Sequence, residues 1–229
     1  MSTPATIRGM RQKRSAQEDA NTAGGRRRLM DAALKLAAEK RSIHALGVRE
    51  LGREAGLNPN TFYRHFHDFE ALGLALIEEF SRDLRAQLRD IRRGADDFHA
   101  ATAGTVKYVF DFALKNPEAI IVSVREIHGA SAPMREALHR LIVNLAEDMV
   151  EDVGFRNFAP GLDPTTLMPV AENVVRQIFF LSLDYIERPK ERRARLQHTI
   201  DFVEMLVAGA MVMRARLMQA AGETAHLEH

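Results

Sequence analysis

The side chains best suited to chemistry in this chain cluster in one octapeptide, PNTFYRHF, residues 59–66. Phe62 and Phe66 are four apart, so on a helix they share a face and must turn inward. That leaves Asn60, Thr61, Tyr63, Arg64 and His65 pointing outward. An asparagine amide pairs with the edge of adenine, and an arginine reads guanine or clamps phosphate. Threonine offers a hydroxyl and a methyl, while Tyr63 and His65 can donate to phosphate oxygens. The same residues would also make an ordinary polar surface face, and the octapeptide alone leaves both readings open.

Metal chemistry is the main competitor. Glu136-Ala-Leu-His139 has the Glu-x-x-His spacing that sets two ligands on one helical face, as in helical di-iron carboxylate enzymes. Such a site needs a second copy and two further glutamates. The other match, Glu223-Thr-Ala-His226, lies in the tail, residues 223–229, whose final Leu227-Glu228-His229 resembles the remnant of a purification tag. There is no His-Glu-x-x-His, no phosphate-binding glycine loop and no Gly-x-Ser-x-Gly. With no cysteine, disulfides, thiolate zinc sites and cysteine nucleophiles are excluded. No enzyme activity, metal or cofactor is expected.

The elements that must position the octapeptide are short. From Arg26, Leu29, Ala32, Ala33, Leu36 and Ala37 trace one buried helical face. Gly47 interrupts the pattern, and Val48, Leu51 and Ala55 mark a second helix. Gly56-Leu57-Asn58-Pro59 reads as a turn: glycine for positive φ, Asn58 as cap and Pro59 at the first helical position. Two short helices joined by such a turn form a helix-turn-helix, whose second helix fits the major groove. Asp68 is a candidate cap for a long fourth helix.

The charge is divided accordingly. Residues 1–67 hold 13 Lys/Arg against 6 Asp/Glu, a balance of +7, and residues 68–229 hold 19 against 25, a balance of −6. A basic head on an acidic body suits a polyanion at the head alone. Residues 1–25 read as a flexible basic arm carrying Arg8, Arg11, Lys13 and Arg14, able to track phosphates or simply to be solvated. Nothing in the sequence reads as a secretory signal or a membrane span, and a cytoplasmic location is expected.

The run from Arg27 to about Phe80, and above all VRELGREAGLNPNTFYRHFHDFEAL, resembles the DNA-binding domain of the TetR family. The resemblance implies that Thr61, Tyr63 and His65 occupy positions that contact double-stranded operator DNA, with Arg49 a further contact. Phe69 stands where many members carry a phosphate-binding lysine, so that contact is lost or passes to His67 or Arg64. The expected domains are the arm, a helix-turn-helix over 26–68 and an effector-binding and dimerising body over 69–222.

The body reads as all-α, with helices near 97–115, 117–128, 132–153, 164–187 and 191–219 and a loop from Gly154 to Leu162, giving about nine helices in all. Asn116-Pro117, Ser131 with Pro133, and Asp163-Pro164 signal helix starts. The stretch KNPEAIIVSVREIHGASAPMREAL is similar to a TetR subgroup that regulates unsaturated fatty-acid synthesis and desaturation, and HFHDFEALGLALIEE supports the same likeness. That resemblance implies a repressor that senses long-chain acyl thioesters such as acyl-CoA; another hydrophobic effector, a drug or an aromatic compound, is the alternative. An acyl chain needs an apolar tunnel between helices. Candidate lining residues are Phe110 and Leu114, Ile121 and Val124, Leu138 and Ile142, and Phe179 and Phe180, all of which also suit a plain packed core. Arg125 or Arg135 can meet a polar ligand head or pair with Glu126 or Glu136. The acidic run Glu147-Asp148, Glu151-Asp152 reads as a solvated face. Finally, QIFFLSLDYI and MLVAGAMVM are apolar nearly all round, which predicts burial on two sides and a homodimer, unless the chain covers this surface itself.

Overall fold

The computed structural model describes the backbone of residues 23–40 and 42–227, and the side chains of all of these except 155, 156 and 220–227. Among the described residues the architecture is all-α, with nine helices and no strand. They are α1 (23–40), α2 (Val48–Glu54), α3 (Phe62–His65), α4 (Phe69–Gly94), α5 (Phe98–Lys115), α6 (Pro117–Glu126), α7 (Ala132–Arg156), α8 (Pro164–Glu187) and α9 (Arg192–Leu227). Contacts divide the chain into a head ending at Leu76 and a body beginning at Ile77. The division falls within α4, eight residues beyond the 68/69 boundary that the sequence suggests.

The head forms around α1, whose Leu29, Ala33 and Ala37 are fully buried, as their spacing requires. Helical backbone is already in place at residue 23, so Gly24 and Gly25 belong to α1 rather than to the arm. Arg8, Arg11, Lys13 and Arg14 lie outside the described residues. Lys35 on α1 pairs with Glu54 on α2 at 2.6 Å.

In the body, α4, α5, α7 and α8 each contribute apolar residues to the interior. Ser131 caps α7 by accepting from the Met134 N–H, and Asp163 caps α8 by accepting from the Thr166 N–H. Asn116 behaves differently: its side-chain amide turns back and donates to the Phe112 carbonyl of α5 at 2.9 Å. Three boundaries depart from expectation. Helix α6 stops at Glu126; α7 runs to Arg156 before Asn157, at φ 51°, ends it in the left-handed conformation; and α9 runs through Leu227, into the segment read as tail.

The acidic run on α7 is a larger correction. Glu147 and Glu151 are exposed, but the side chains of Asp148 and Asp152 are 3% and 0% exposed. Their partners sit on α4, where Arg85, Arg89, Arg92 and Arg93 recur at helical spacing on one face. Asp148 takes Arg85 at 2.6 Å and Arg89 at 2.7 Å; Asp152 takes Arg92 at 2.9 Å and Arg93 at 2.7 Å. Periodicity within α7 cannot show this, because the compensating charges lie about sixty residues earlier.

Candidate nucleic-acid interface and ligand cavity

The geometry of the octapeptide is set by the turn before it. Gly56 has φ +64°, a conformation that strains any residue with a Cβ. The Leu57 N–H donates to the Gly52 carbonyl at 2.8 Å. This draws the turn so close that a Cβ on Gly52 would sit 3.0 Å from the Leu57 oxygen and 3.1 Å from the Pro59 Cα. Gly52 thus carries a second glycine signal, one that lies inside α2. The Asn58 side chain accepts from the Asn60 N–H at 2.9 Å, and Pro59 opens a single 3-10 turn that leads into α3.

Phe62 is buried and anchors the segment. Its ring centroid lies 5.9 Å from that of Phe66 and 4.9 Å from that of Phe69. Phe69 therefore adds to this aromatic cluster at the position where the resembling family often has lysine. Tyr63 is 64% exposed and meets Phe62 edge-on; Asn60 and Arg64 are exposed, and Thr61 is half-buried. Arg49 on α2 is also exposed. His67 is exposed, with Nδ1 3.1 Å from the Asp68 carboxylate. Asp68 in turn caps α4, accepting from the Ala71 N–H at 2.7 Å. That hydrogen bond and the one with His67 hold its carboxyl below the usual carboxylate range.

His65 differs from its neighbours. It is half-buried, and a Cβ on Gly25 would come within 3.1 Å of its Nε2. Burial lowers its pKa, and the nearby charges of Arg26 and Arg64 lower it further, so the ring is neutral at pH 7. A neutral imidazole can still donate one N–H to a phosphate. The Arg26 guanidinium lies 5.4 Å over the Phe66 ring.

Within the body, an apolar cavity opens between α4, α5, α7 and α8. Of the expected lining residues, Leu138, Ile142 and Phe179 are present, joined by Phe80, Leu84 and Leu88 of α4. The others lie elsewhere. Phe110 is wholly buried, stacked on Tyr185 at 4.3 Å, and Leu114 packs against the same core. Ile121, Val124 and Arg125 of α6 do not line the cavity, and Phe180 is 41% exposed on α8. Arg135 is structural: its Nη1 donates to the carbonyls of Gly129 and Ala130 at 2.7 and 2.8 Å, tying down the turn between α6 and α7. The share of the wall that α4 supplies was not expected, although Phe80, Leu84 and Leu88 recur at helical spacing. Arg92 and Thr105 also line the cavity, and neither was expected there.

Glu136 pairs with Arg140 at 3.2 Å, and His139 Nδ1 lies 3.2 Å from Arg176. The side chains of Glu223 and His226 lie outside the described ones. Among the described residues no group of three or more His, Asp or Glu could hold a metal ion. No described helix is long and apolar enough to cross a membrane. The apolar stretches of α8 and α9 are not covered within one chain: besides Phe180, Met205, Val212 and Met213 are each more than half exposed.

In the head, a tight glycine turn presenting a short, polar-faced helix has the geometry of a helix-turn-helix. Residues 29–76 match the family profile described as bacterial regulatory proteins, tetR family. An "Uncharacterized HTH-type transcriptional regulator" of Haemophilus influenzae is 28% identical over 186 residues, covering 81% of this chain and 89% of its own. Among solved structures, the fatty acid degradation regulator FadR from Bacillus halodurans superposes with a TM-score of 0.64 at 18% identity, over 81% of this chain and 95% of its own. FadR from Bacillus subtilis, solved in complex with stearoyl-CoA, gives 0.59 at 16% identity, over 80% and 97%. At such identities the structures speak for the fold alone. The profile and the relative agree: residues 29–76 resemble the tetR-family regulatory domain, and most of the chain is similar to an HTH-type transcriptional regulator.

Proposed function

We propose that the chain is a homodimeric repressor of the cytoplasm whose grip on operator DNA is set by a long-chain acyl ligand, an acyl-CoA or a related acyl compound. The cavity carries this reading. Its lining is almost wholly aliphatic and aromatic, with a few polar groups, as in small-molecule sites. The stearoyl-CoA bound by the Bacillus subtilis neighbour supports the same ligand class.

In this reading α3 lies in the major groove. Asn60, Tyr63 and Arg64 meet bases and phosphates, with Thr61, His65, His67 and Arg49 as flanking contacts. Two copies pair through the exposed apolar faces of α8 and α9, so that two copies of α3 address two half-sites. The ligand acts through α4, whose residues from Phe80 to Arg92 form one wall of the cavity. A ligand that favours one arrangement of this wall shifts the operator affinity by its differential binding to the two arrangements.

The test is fluorescence anisotropy on labelled DNA from upstream of the chain's own gene, with and without a saturated and an unsaturated long-chain acyl-CoA. Binding to DNA that both thioesters shift, to different extents, is the expected result. DNA binding indifferent to both would remove the acyl thioester and leave the regulator.

A further inference from the structure

We propose that Arg92 and Thr105 form the polar end of the body cavity and receive the carboxylate of a fatty acid, so that the ligand is the free acid and its chain lies along the apolar wall. This rests on the acyl reading above and specifies the ligand's head. Arg92 and Thr105 are the polar residues lining an otherwise apolar cavity, and together with Thr102 and Asp152 they also line a second pocket. The two spaces share this pair and the apolar Met149, Val174 and Ile178.

Both residues are poised for an acceptor. Arg92 is 6% exposed, and its Nε donates to Asp152 at 2.9 Å. Its Nη2 stands 2.9 Å from the same carboxylate oxygen, but the angle leaves the hydrogens of that nitrogen without an acceptor. The Thr105 hydroxyl oxygen is likewise buried without a hydrogen-bond partner. Buried donors of this kind carry a desolvation cost that an acceptor inside the cavity removes.

The donors around them suit an anion. Four guanidiniums, those of Arg85, Arg89, Arg92 and Arg93, share two buried carboxylates, Asp148 and Asp152. The two further acids of the cluster, Glu147 near Arg85 and Glu151, are exposed. The donors left over in the cavity wall are on Arg92 and Thr105, and a carboxylate is the strongest acceptor for a guanidinium. Burial lowers the pKa of Arg92 against the pull of Asp152, and an anion beside it would offset that burial. A thioester carbonyl is the weaker complement, being neutral and offering a single oxygen.

Equilibrium dialysis of the full chain against labelled myristate, 1-tetradecanol and myristoyl-CoA, below their micelle concentrations, tests this. Wild type is expected to bind the acid at least about tenfold tighter than the alcohol, the scale of a charge-assisted hydrogen bond. Thr105→Val, which keeps the shape and removes the hydroxyl, should narrow that ratio about threefold. Arg92→Gln should bring it near one; if that variant fails to fold, the wild-type ratio and Thr105→Val decide. Equal binding of acid and alcohol by wild type, or a ratio unmoved by both substitutions, overturns the assignment while the acyl ligand stands. Binding of myristoyl-CoA alone does the same. Failure of all three to bind overturns the acyl reading as well.

Discussion

The head and the body use polar residues in opposite ways. In the head they are carried outward by a small aromatic anchor: Phe62 is buried, while Asn60, Tyr63 and Arg64 around it face solvent. In the body the charges turn inward: Asp148, Asp152 and Arg92 are buried, and Arg92 lines the apolar cavity. An outward polar face costs little to maintain and is free to meet a large polyanion. An inward one must be paired nearly completely, so any group left over marks a place that a ligand can fill. The two regions should therefore respond differently to substitution, the head losing function before stability at its polar positions and the body losing both together.

The largest expected effect concerns the anchor. Phe62→Ala should cost about 3–5 kcal/mol, the usual range for truncating a buried aromatic, and should abolish operator binding because α3 loses its seat. Urea unfolding together with an operator titration checks both. Native-like stability in this variant would break the comparison at its root.

Next comes the inward pairing. Asp148→Asn leaves Arg85 and Arg89 without their shared charge. Removing one partner of a buried pair costs about 3–5 kcal/mol; the two arginines are a third or more exposed, so about 2–3 kcal/mol is expected. The pH dependence sharpens this. Burial works against ionisation of Asp148, but the hydrogen bond from Arg85 and the charges of Arg85 and Arg89 outweigh it and hold its pKa below the ordinary value. A depressed folded pKa means that the contribution is fully present above the unfolded value, about 3.9, and fades as pH falls through the folded one. The stability gap between wild type and Asp148→Asn should thus be constant from pH 7 to about 5 and shrink below pH 4. A gap that grows on acidification would reverse the assignment.

The same contrast explains what was legible in the sequence. The head's site is local: Gly56, Asn58, Pro59, Phe62 and Phe66 lie within eleven residues, and each has one strong conformational reason to be there. Helix boundaries in the body were readable for the same reason, since Ser131 and Asp163 cap through side chains within three residues. The cavity was only partly legible. It took Leu138, Ile142 and Phe179 as expected, but which apolar residues line a void and which fill the core depends on how four helices meet. Phe110 satisfies the same pattern and is stacked on Tyr185 instead. Asp148 and Asp152 were misread because a carboxylate every four residues looks alike whether it faces water or arginine.

At the outward positions stability and function should separate. Tyr63→Ala removes a side chain that is 64% exposed, so its unfolding free energy should move by no more than about 0.5 kcal/mol. Operator affinity should nevertheless fall about tenfold, the loss of one or two direct contacts. Anisotropy titrations at one fixed salt concentration measure it. Unchanged affinity here and in Arg64→Ala would take α3 out of the groove.

The smallest expected effect belongs to the turn that aims the helix. The Asn58 side chain satisfies the Asn60 N–H, a donor with no partner inside so short a helical segment. Asn58→Ala should cost about 0.5–1 kcal/mol, the lower part of the range for a lost cap, because α3 adds only one turn to propagate the loss. Asn58→Asp keeps the acceptor and should restore the stability. It also places a negative charge beside residues proposed to meet phosphate, so operator affinity should drop although the fold is intact. That double variation separates the cap's role in building the head from the charge the head presents. If Asn58→Asp bound operator as well as wild type, the start of α3 would lie away from the phosphates, and the contact would shift toward Tyr63 and Arg64.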